Sequence, residues 1–347
     1  MPDTASIAPG APSLFAFPLL KWYETNGREL PWRGTRDPYR IWVSEVILQQ
    51  TRIEQGRDYY LRFISQWPTV HALAAATEDE VLRLWQGLGY YSRARHMLTA
   101  ARQVSALGDF PRTLQGLRSL KGVGAYTAAA IASMAFQLPV ATVDGNVYRV
   151  LARHYGIHTP INTTAGQKLF AELAQALLPP QRAADFNQAM MDFGATQCTP
   201  KSPHCIECPL AESCVALRTD SITLLPIKER KTKIVSRQLT YIYIRCDGHT
   251  AIRRRPAGDI WQGLWEPLLL QAYGQLSPLL TQATPLRRGV RHILTHQRLT
   301  ADFYLLCTDQ RPTLPPDFFW IPESTLHNYA VPRLIDMMWE CVASITE

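Results

Sequence analysis

The stretch CTPKSPHCIECPLAESC, residues 198–214, gathers four of the chain's seven cysteines: Cys198, Cys205, Cys208 and Cys214. Thiolates at this density bind soft metals or an iron–sulfur cluster. A zinc ribbon normally has two C-x2-C pairs with a longer stretch between them, whereas this segment has a single C-x2-C pair flanked by spacings of six and five. A compact loop around one cluster fits the pattern better, with zinc as the alternative. Four thiolate ligands would leave no open coordination position, so the site would stabilise the loop and take no part in a reaction.

Length and composition indicate a soluble globular protein with room for two domains, because the chain has 347 residues, of which 46% are hydrophobic and 19% charged. Apolar runs are too short to span a membrane. Residues 1–13 contain no Lys or Arg and no apolar core, so they predict a disordered tail, not a signal peptide. With no targeting signal, we expect a cytoplasmic protein, associated with the nucleoid of a bacterium. The net charge of +7 permits a polyanionic partner.

The pattern of apolar residues changes along the chain. Residues 14–217 show helical spacing and no strand pattern. Residues 218–236 are polar, basic and contain proline, which indicates a linker. The segments 239–246 and 301–308 alternate and are rich in aromatic and β-branched residues, as strands are. The predicted fold class is therefore multidomain, an all-α domain followed by an α+β domain over residues 237–347.

One turn in the helical part has the composition of a DNA-backbone contact. In LKGVGAYTAAAI, residues 120–131, a turn with Gly122, Val123 and Gly124 opens into an alanine-rich helix. Glycines let a partner approach the backbone closely, and a helix N-terminus offers free N–H groups to a phosphate. A helix on each side makes a helix-hairpin-helix, which holds a DNA backbone without reading sequence. An ordinary turn is the alternative for an isolated G-x-G.

Two carboxyl groups stand in contexts that suit acid–base chemistry. Glu45 lies among apolar residues in WVSEVILQQT, residues 42–51, where burial would raise its pKa. The alternative is a glutamate on an exposed helix face. Asp144 lies in VDGNVYR, residues 143–149, ahead of a helical segment. Its alternative role is a helix N-cap.

The cysteine pattern, the hairpin and the V-D-G segment together resemble the helix-hairpin-helix DNA glycosylase superfamily with a [4Fe-4S] loop. Within it, LPWR at 30–33 and WQGLGYYSRAR at 85–95 are similar to MutY-type adenine DNA glycosylases. The endonuclease III type, a pyrimidine glycosylase and lyase, has a nucleophilic lysine where this chain has Tyr126. That type is one alternative. A non-enzymatic iron–sulfur DNA sensor is another, but it would need neither Glu45 nor Asp144.

The resemblance implies base excision repair by a monofunctional hydrolase that flips out adenine mispaired with 8-oxoguanine or guanine in double-stranded DNA. Glu45 matches the general acid that protonates adenine, and Asp144 the carboxylate that stabilises or traps the cationic sugar. Tyr126 and Asn146 would assist by hydrogen bonding. The implied cofactor is a [4Fe-4S] cluster, and a monomer without membrane contact is expected.

The resemblance also assigns DNA contacts. The residues expected to wedge into the base stack around the 8-oxoguanine are Gln50, Thr51, Leu88 and Tyr90. The residues of the hairpin expected to bind a DNA phosphate are Gly122, Val123 and Gly124. Tyr90 has a core aromatic as its alternative role.

The C-terminal domain resembles a Nudix-type fold that recognises 8-oxoguanine, because GDIWQGLWE at 258–266 is similar to the approach to a Nudix box. The box and its metal-binding glutamates are absent, which implies lesion reading without hydrolase activity. HILTH, residues 292–296, takes the place of the recognition loop and supplies Thr295 and His296. A plain β-turn is the alternative there.

Overall fold

The computed structural model describes residues 11–229 and 234–345, without the side chains of 11–13. Of the tail predicted over residues 1–13, residues 1–10 lie outside this range, and α1 begins at Ala11. The described residues divide into two compact units. Residues within 1–74 and 99–230 form the first unit, and residues within 75–98 and 231–347 form the second. A segment of the predicted helical domain therefore groups with the C-terminal part of the chain.

All regular elements described before residue 230 are helical. They are α1 (Ala11–Asn26), α2 (Pro38–Ile47), α3 (Ile53–Gln66), α4 (Val70–Ala75), α5 (Glu78–Leu84), α6 (Ser92–Leu107), α7 (Leu114–Ser119), α8 (Ala125–Met134), α9 (Gly145–Tyr155), α10 (Thr164–Leu177), α11 (Ala183–Asp192) and α12 (Val215–Arg218), with a 3-10 turn at Pro180–Arg182 and a π-helical turn at Phe193–Gln197.

Local sequence signals set several helix ends. Thr77 and Glu80 form a capping box at the start of α5, where each side chain accepts a hydrogen bond from the other residue's backbone N–H. Thr163 caps α10 through one hydrogen bond, which its side-chain oxygen accepts from the backbone N–H of Gly166. Gly156 ends α9 in the left-handed conformation, with a φ of 64°. Thr77 and Thr163 are thus the N-caps of α5 and α10.

The core of the first unit surrounds α9. Helices α1, α10 and α11 contribute the large side chains Phe15, Phe170 and Phe186, each at most 1% exposed, and Leu151 of α9 is fully buried among them. Burying aromatic groups of this size contributes a few kcal/mol each, so α9 is held firmly in its place.

The second unit contains one mixed sheet in the described residues. Its strands are β1 (Val235–Cys246), β2 (His249–Arg254), β3 (Trp265–Glu266), β4 (Leu268–Leu269), β5 (Thr284–Ile293), β6 (Gln297–Cys307) and β7 (Phe318–Pro322). The same part of the chain contains the helices α13 (Pro278–Gln282) and α14 (Arg333–Ala343) and 3-10 turns at Gly274–Leu276 and Glu323–Asn328. The strand order in the sheet is β3-β2-β1-β6-β5, and in addition β4 pairs with β1 and β7 pairs with β2. Only β1 and β6 run parallel.

Both faces of this sheet carry apolar clusters. Leu334 and Met338 of α14 pack with Leu299 and Phe303 of β6 on one face, and Leu280 of α13 packs against the cluster on the other. The predicted fold class, a helical domain followed by an α+β domain, is confirmed. No helix in the described part of the chain combines the length and the apolar character that crossing a membrane requires.

Candidate active site and cluster loop

A cavity of about 960 Å³ opens in the first unit between α2, the hairpin turn, the start of α9 and α11. It gathers eight of the residues expected to act on DNA: Glu45, Gln50, Thr51, Gly122, Gly124, Tyr126, Asp144 and Asn146. Val123, the middle residue of the hairpin turn, is 6% exposed. The φ of 75° at Gly122 explains why a glycine stands in this turn.

Glu45 lies on the buried face of α2 and is 9% exposed. Burial raises its pKa to about 7; the hydrogen-bonding interaction with Tyr126 and the charge of Arg33 oppose this rise, and the charge of Asp144 adds to it. The exposed-helix alternative for Glu45 is therefore excluded. At neutral pH this carboxyl is poised between its acid and base forms, as a proton donor must be.

Asp144 is both an N-cap and a wall of the cavity. Its Oδ1 accepts hydrogen bonds from the backbone N–H groups of Asn146 and Val147 at 2.9 and 2.8 Å, and its Oδ2 accepts one from Nδ2 of Asn146 at 2.8 Å. Burial raises the pKa of Asp144, while these three hydrogen bonds and the charge of Arg149 lower it. The two roles considered for Asp144 are thus compatible, because capping fixes the carboxylate at the helix N-terminus where it faces the cavity.

Tyr126 stands in the first turn of α8 and donates its hydroxyl proton to Sδ of Met191 at 3.1 Å. Burial, and next the charge of Glu45, raise the pKa of Tyr126 well above its usual value. The phenol is therefore neutral and serves as a hydrogen-bonding group beside Glu45.

A group of buried charges beside the cavity was missed by sequence reasoning. Asp192 is fully buried and accepts hydrogen bonds from Arg28 Nε and Arg33 Nη2, each at 2.9 Å. Arg33 Nη1 also donates to the Tyr23 hydroxyl at 2.7 Å. Arg33 thereby becomes a fixed positive charge near Glu45. Arg33 belongs to the LPWR motif, but nothing local in that motif points to a distant aspartate.

The cysteine loop surrounds a small cavity lined by all four predicted ligands, Cys198, Cys205, Cys208 and Cys214. No three His, Cys, Asp or Glu side chains of the described residues are arranged to hold a single metal ion. The Arg153 guanidinium, also lining the cavity, donates to Cys198 Sγ at 3.4 Å and to the carbonyls of Thr199 and Pro200 at 2.7 and 2.9 Å. Soft donors spread around a cavity, with a cation beside them, fit an anionic iron–sulfur cluster.

Helix α9 connects this loop to the cavity that contains Glu45 and Asp144. Arg149 Nε donates to the carbonyl of Cys198 at 2.8 Å, while its Nη2 donates to Asn146 Oδ1 at 2.8 Å and to the carbonyl of Gly194 at 2.5 Å. Since Asn146 in turn donates to Asp144, a continuous chain of hydrogen bonds runs from a cluster-loop residue to the Asp144 carboxylate in the cavity.

In the second unit, the predicted recognition loop is a tight turn between β5 and β6, closed by Leu294 N–H on the carbonyl of Gln297 at 2.8 Å. Thr295 and His296 at its tip are exposed. The hydroxyls of Tyr90 and Thr295 are hydrogen-bonded to each other. Two residues assigned to the lesion from separate parts of the sequence thus meet in one place.

The four predicted wedge residues differ in exposure. Gln50 and Tyr90 are exposed and adopt φ values of 61° and 47°. Such values are uncommon outside glycine and cluster at functional sites. Tyr90 is 46% exposed, so it is not a core aromatic, whereas Leu88 is 8% exposed and Thr51 is half-buried.

Comparison with known proteins gives a consistent result. Residues 43–177 match the HhH-GPD superfamily of base excision DNA repair proteins, residues 198–214 the iron–sulfur binding domain of endonuclease III, and residues 240–341 the NUDIX domain. The adenine DNA glycosylase of Mus musculus is 35% identical over 385 residues, covering 90% of this chain and 75% of the mouse protein. The chain belongs to the adenine DNA glycosylase family. Its loop accordingly carries a [4Fe-4S] cluster.

Other similar proteins show how much of each chain the similarity covers. The adenine DNA glycosylase of Arabidopsis thaliana is 38% identical over 72% of this chain, but the chain spans only 46% of that relative's length. A thermostable thymine-DNA glycosylase of known structure covers 60% of this chain and 97% of its own, with a TM-score of 0.56 and 31% identity. The family membership thus rests on relatives of different length, and residues 240–341 of this chain match a NUDIX domain.

Proposed function

We propose that this protein removes adenine opposite 8-oxoguanine or guanine from double-stranded DNA, as a monofunctional hydrolase. The observation that carries the proposal is the pairing of Glu45, whose pKa is about 7, with Asp144 in one cavity. The described residues that line this cavity include no lysine. A lyase needs an amine to form a Schiff base, so this composition favours the monofunctional reaction over the endonuclease III type.

In the proposed reaction Glu45 transfers its proton to a ring nitrogen of adenine, and the bond between that base and C1′ of the sugar breaks. The electron pair leaves with adenine, and the sugar becomes cationic. The carboxylate of Asp144 stabilises or traps this cation, and water then adds its hydroxyl to C1′ and returns a proton to Glu45. Asn146 and the backbone N–H groups of α9 hold Asp144 in place.

Adenine reaches the cavity only after leaving the base stack. Gln50 and Tyr90, exposed and in the left-handed region, are suited to enter the stack as wedges, with Thr51 and Leu88 beside them. Gly122, Val123 and Gly124 would hold a phosphate through the start of α8. Thr295 and His296 would read the base opposite adenine, since the Thr295 hydroxyl already meets the Tyr90 hydroxyl.

Single-turnover release of adenine tests this proposal directly. Duplexes with adenine opposite 8-oxoguanine or guanine would be compared with a duplex carrying an oxidised pyrimidine, for wild type and Glu45→Gln. We expect fast adenine release that Glu45→Gln abolishes, and no covalent complex on borohydride treatment. Release of the pyrimidine with borohydride trapping would replace the proposal with the endonuclease III type. Binding of all duplexes without any release would favour the DNA sensor.

A further inference from the structure

The turn that carries two of the predicted wedge residues has an unusual backbone. We call Gly87–Tyr90, between α5 and α6, the wedge turn. Its φ values are 97° at Gly87, 69° at Gly89 and 47° at Tyr90. Glycine adopts such values freely, but tyrosine does so at a cost, so the surrounding structure must hold Tyr90 in this conformation.

Arg93, in the first turn of α6, contacts this turn on several sides. Its Nη2 donates to the carbonyls of Leu88 and Gly89, each at 3.3 Å. Its guanidinium carbon lies 5.1 Å from the ring centroid of Trp85 and 5.7 Å from that of Tyr90. Trp85 Nε1 donates to the Gly89 carbonyl at 3.0 Å, so Arg93 and Trp85 both hold the backbone of the turn, and Arg93 also lies against the Tyr90 ring.

Arginine is chemically suited to this task. Its Nη2 carries two N–H groups and so donates to both carbonyls, while its flat guanidinium face can lie against aromatic rings, which a lysine ammonium does much less well. The side chain is half-buried, and burial lowers the pKa of Arg93 to about 10, partly offset by Tyr90. The guanidinium therefore stays charged at neutral pH.

We infer that Arg93 is a positioning residue that holds the wedge turn ready for insertion into DNA, acting through the backbone of Leu88 and Gly89 and the ring of Tyr90. The inference rests on the proposed function, since it needs a wedge that enters the stack. Without Arg93 the turn would have to become ordered during insertion, which slows this step while leaving hairpin contacts with DNA phosphates intact.

Insertion can be measured separately from chemistry. In a Glu45→Gln background, a duplex with 2-aminopurine beside 8-oxoguanine would report unstacking as a rise in fluorescence after stopped-flow mixing. We expect Arg93→Met to slow this rise by about tenfold or more, Arg93→Lys to slow it less, and affinity for undamaged duplex to change by less than about twofold. Arg102→Met is the matched control, because Arg102 lies on the same helix and its Nε donates to the Ala74 carbonyl at 3.3 Å.

A second comparison separates positioning from general loss of structure. If Arg93 acts through the wedge, Arg93→Met should add no further slowing in a chain that already carries Leu88→Ala and Tyr90→Ala. Additive slowing, or an insertion rate equal to that of the Arg102→Met control, would overturn the inference. Arg93→Lys supplies the same comparison if Arg93→Met does not fold. If wild type failed to release adenine but Arg93→Met still slowed insertion, the proposed function would be wrong and the positioning role of Arg93 would stand.

Discussion

Glu45 is a carboxyl in a site that favours its neutral form, and this has a consequence for the pH dependence of the reaction. With a pKa of about 7, raised by burial, Glu45 holds its proton below that pH and loses it above. The single-turnover rate of adenine release should therefore fall about tenfold per pH unit well above pH 7. Rates measured from pH 6 to 9 check this. A rate unchanged up to pH 9 would exclude Glu45 as the proton donor.

The same burial lowers stability at high pH. The pKa of Glu45 is raised from 4.5 to about 7 on folding, so the folded state binds this proton more tightly than the unfolded state. The stability contribution is present in full below pH 4.5 and is lost as pH rises through 7, by up to about 3 kcal/mol. Glu45→Gln should thus have the higher urea midpoint at pH 8, and the two midpoints should converge near pH 4.5.

Exposed Glu172 provides the control for this measurement, since it has no comparable burial. Glu172→Gln should leave the urea midpoint almost unchanged at both pH values. Equal midpoints of wild type and Glu45→Gln at pH 8 would contradict a buried, charged carboxylate in the folded state.

At the scale of elements, α9 is capped at its N-terminus by Asp144, the carboxylate proposed to act on the sugar, and Arg149 and Arg153 of this helix contact the cluster loop. Gly194, in the π-helical turn, packs against its first turn so closely that an added Cβ would lie 2.5 Å from Asn146 Cβ. Gly194→Ala should displace that turn, destabilise the protein by about 1–3 kcal/mol and slow adenine release by about tenfold or more. Denaturant unfolding and single-turnover rates measure both effects.

Gly145→Ala is the matched control for stability, because the added Cβ meets no atom within 4 Å and lies in the same helical turn. It should leave the free energy of unfolding within about 0.5 kcal/mol of wild type. If Gly194→Ala proved as stable as this control and retained full activity, the first turn of α9 would not need its close contact with the π-helical turn.

What the sequence predicts depends on how local the physical cause is. Thr77 and Thr163 predict helix starts because capping acts within three residues, and the alternation over residues 239–246 predicts β1 for the same reason. Family resemblance brings Glu45 and Asp144 together, although neither residue signals the other. The ion pairs of Asp192 could not be predicted, since Arg28 and Arg33 lie more than 150 residues away and their sequence context is ordinary.

At the scale of the whole molecule, residues 75–98 belong to the same compact unit as the C-terminal sheet. The helical pattern of α5 gives no sign of this, because its partners lie far along the chain. Arg254 of β2 forms ion pairs with Glu78 and Asp79 at 3.2 and 3.0 Å, and Arg95 Nη1 donates to the Gln262 carbonyl at 2.9 Å. The wedge turn and the recognition loop are thus held within one unit, as their shared hydrogen bond requires.

Arg254→Ala tests whether these ion pairs hold the wedge segment. The pairs are partly exposed, so their loss should cost about 1 kcal/mol of local stability and raise amide hydrogen exchange over residues 78–91 about fivefold. Arg333→Ala is the control, because Arg333 also pairs with two carboxylates, Asp336 and Glu340, within its own helix. Exchange over residues 78–91 that is no faster than in this control would mean that other contacts, chiefly Arg95 and the Tyr90–Thr295 hydrogen bond, hold the segment.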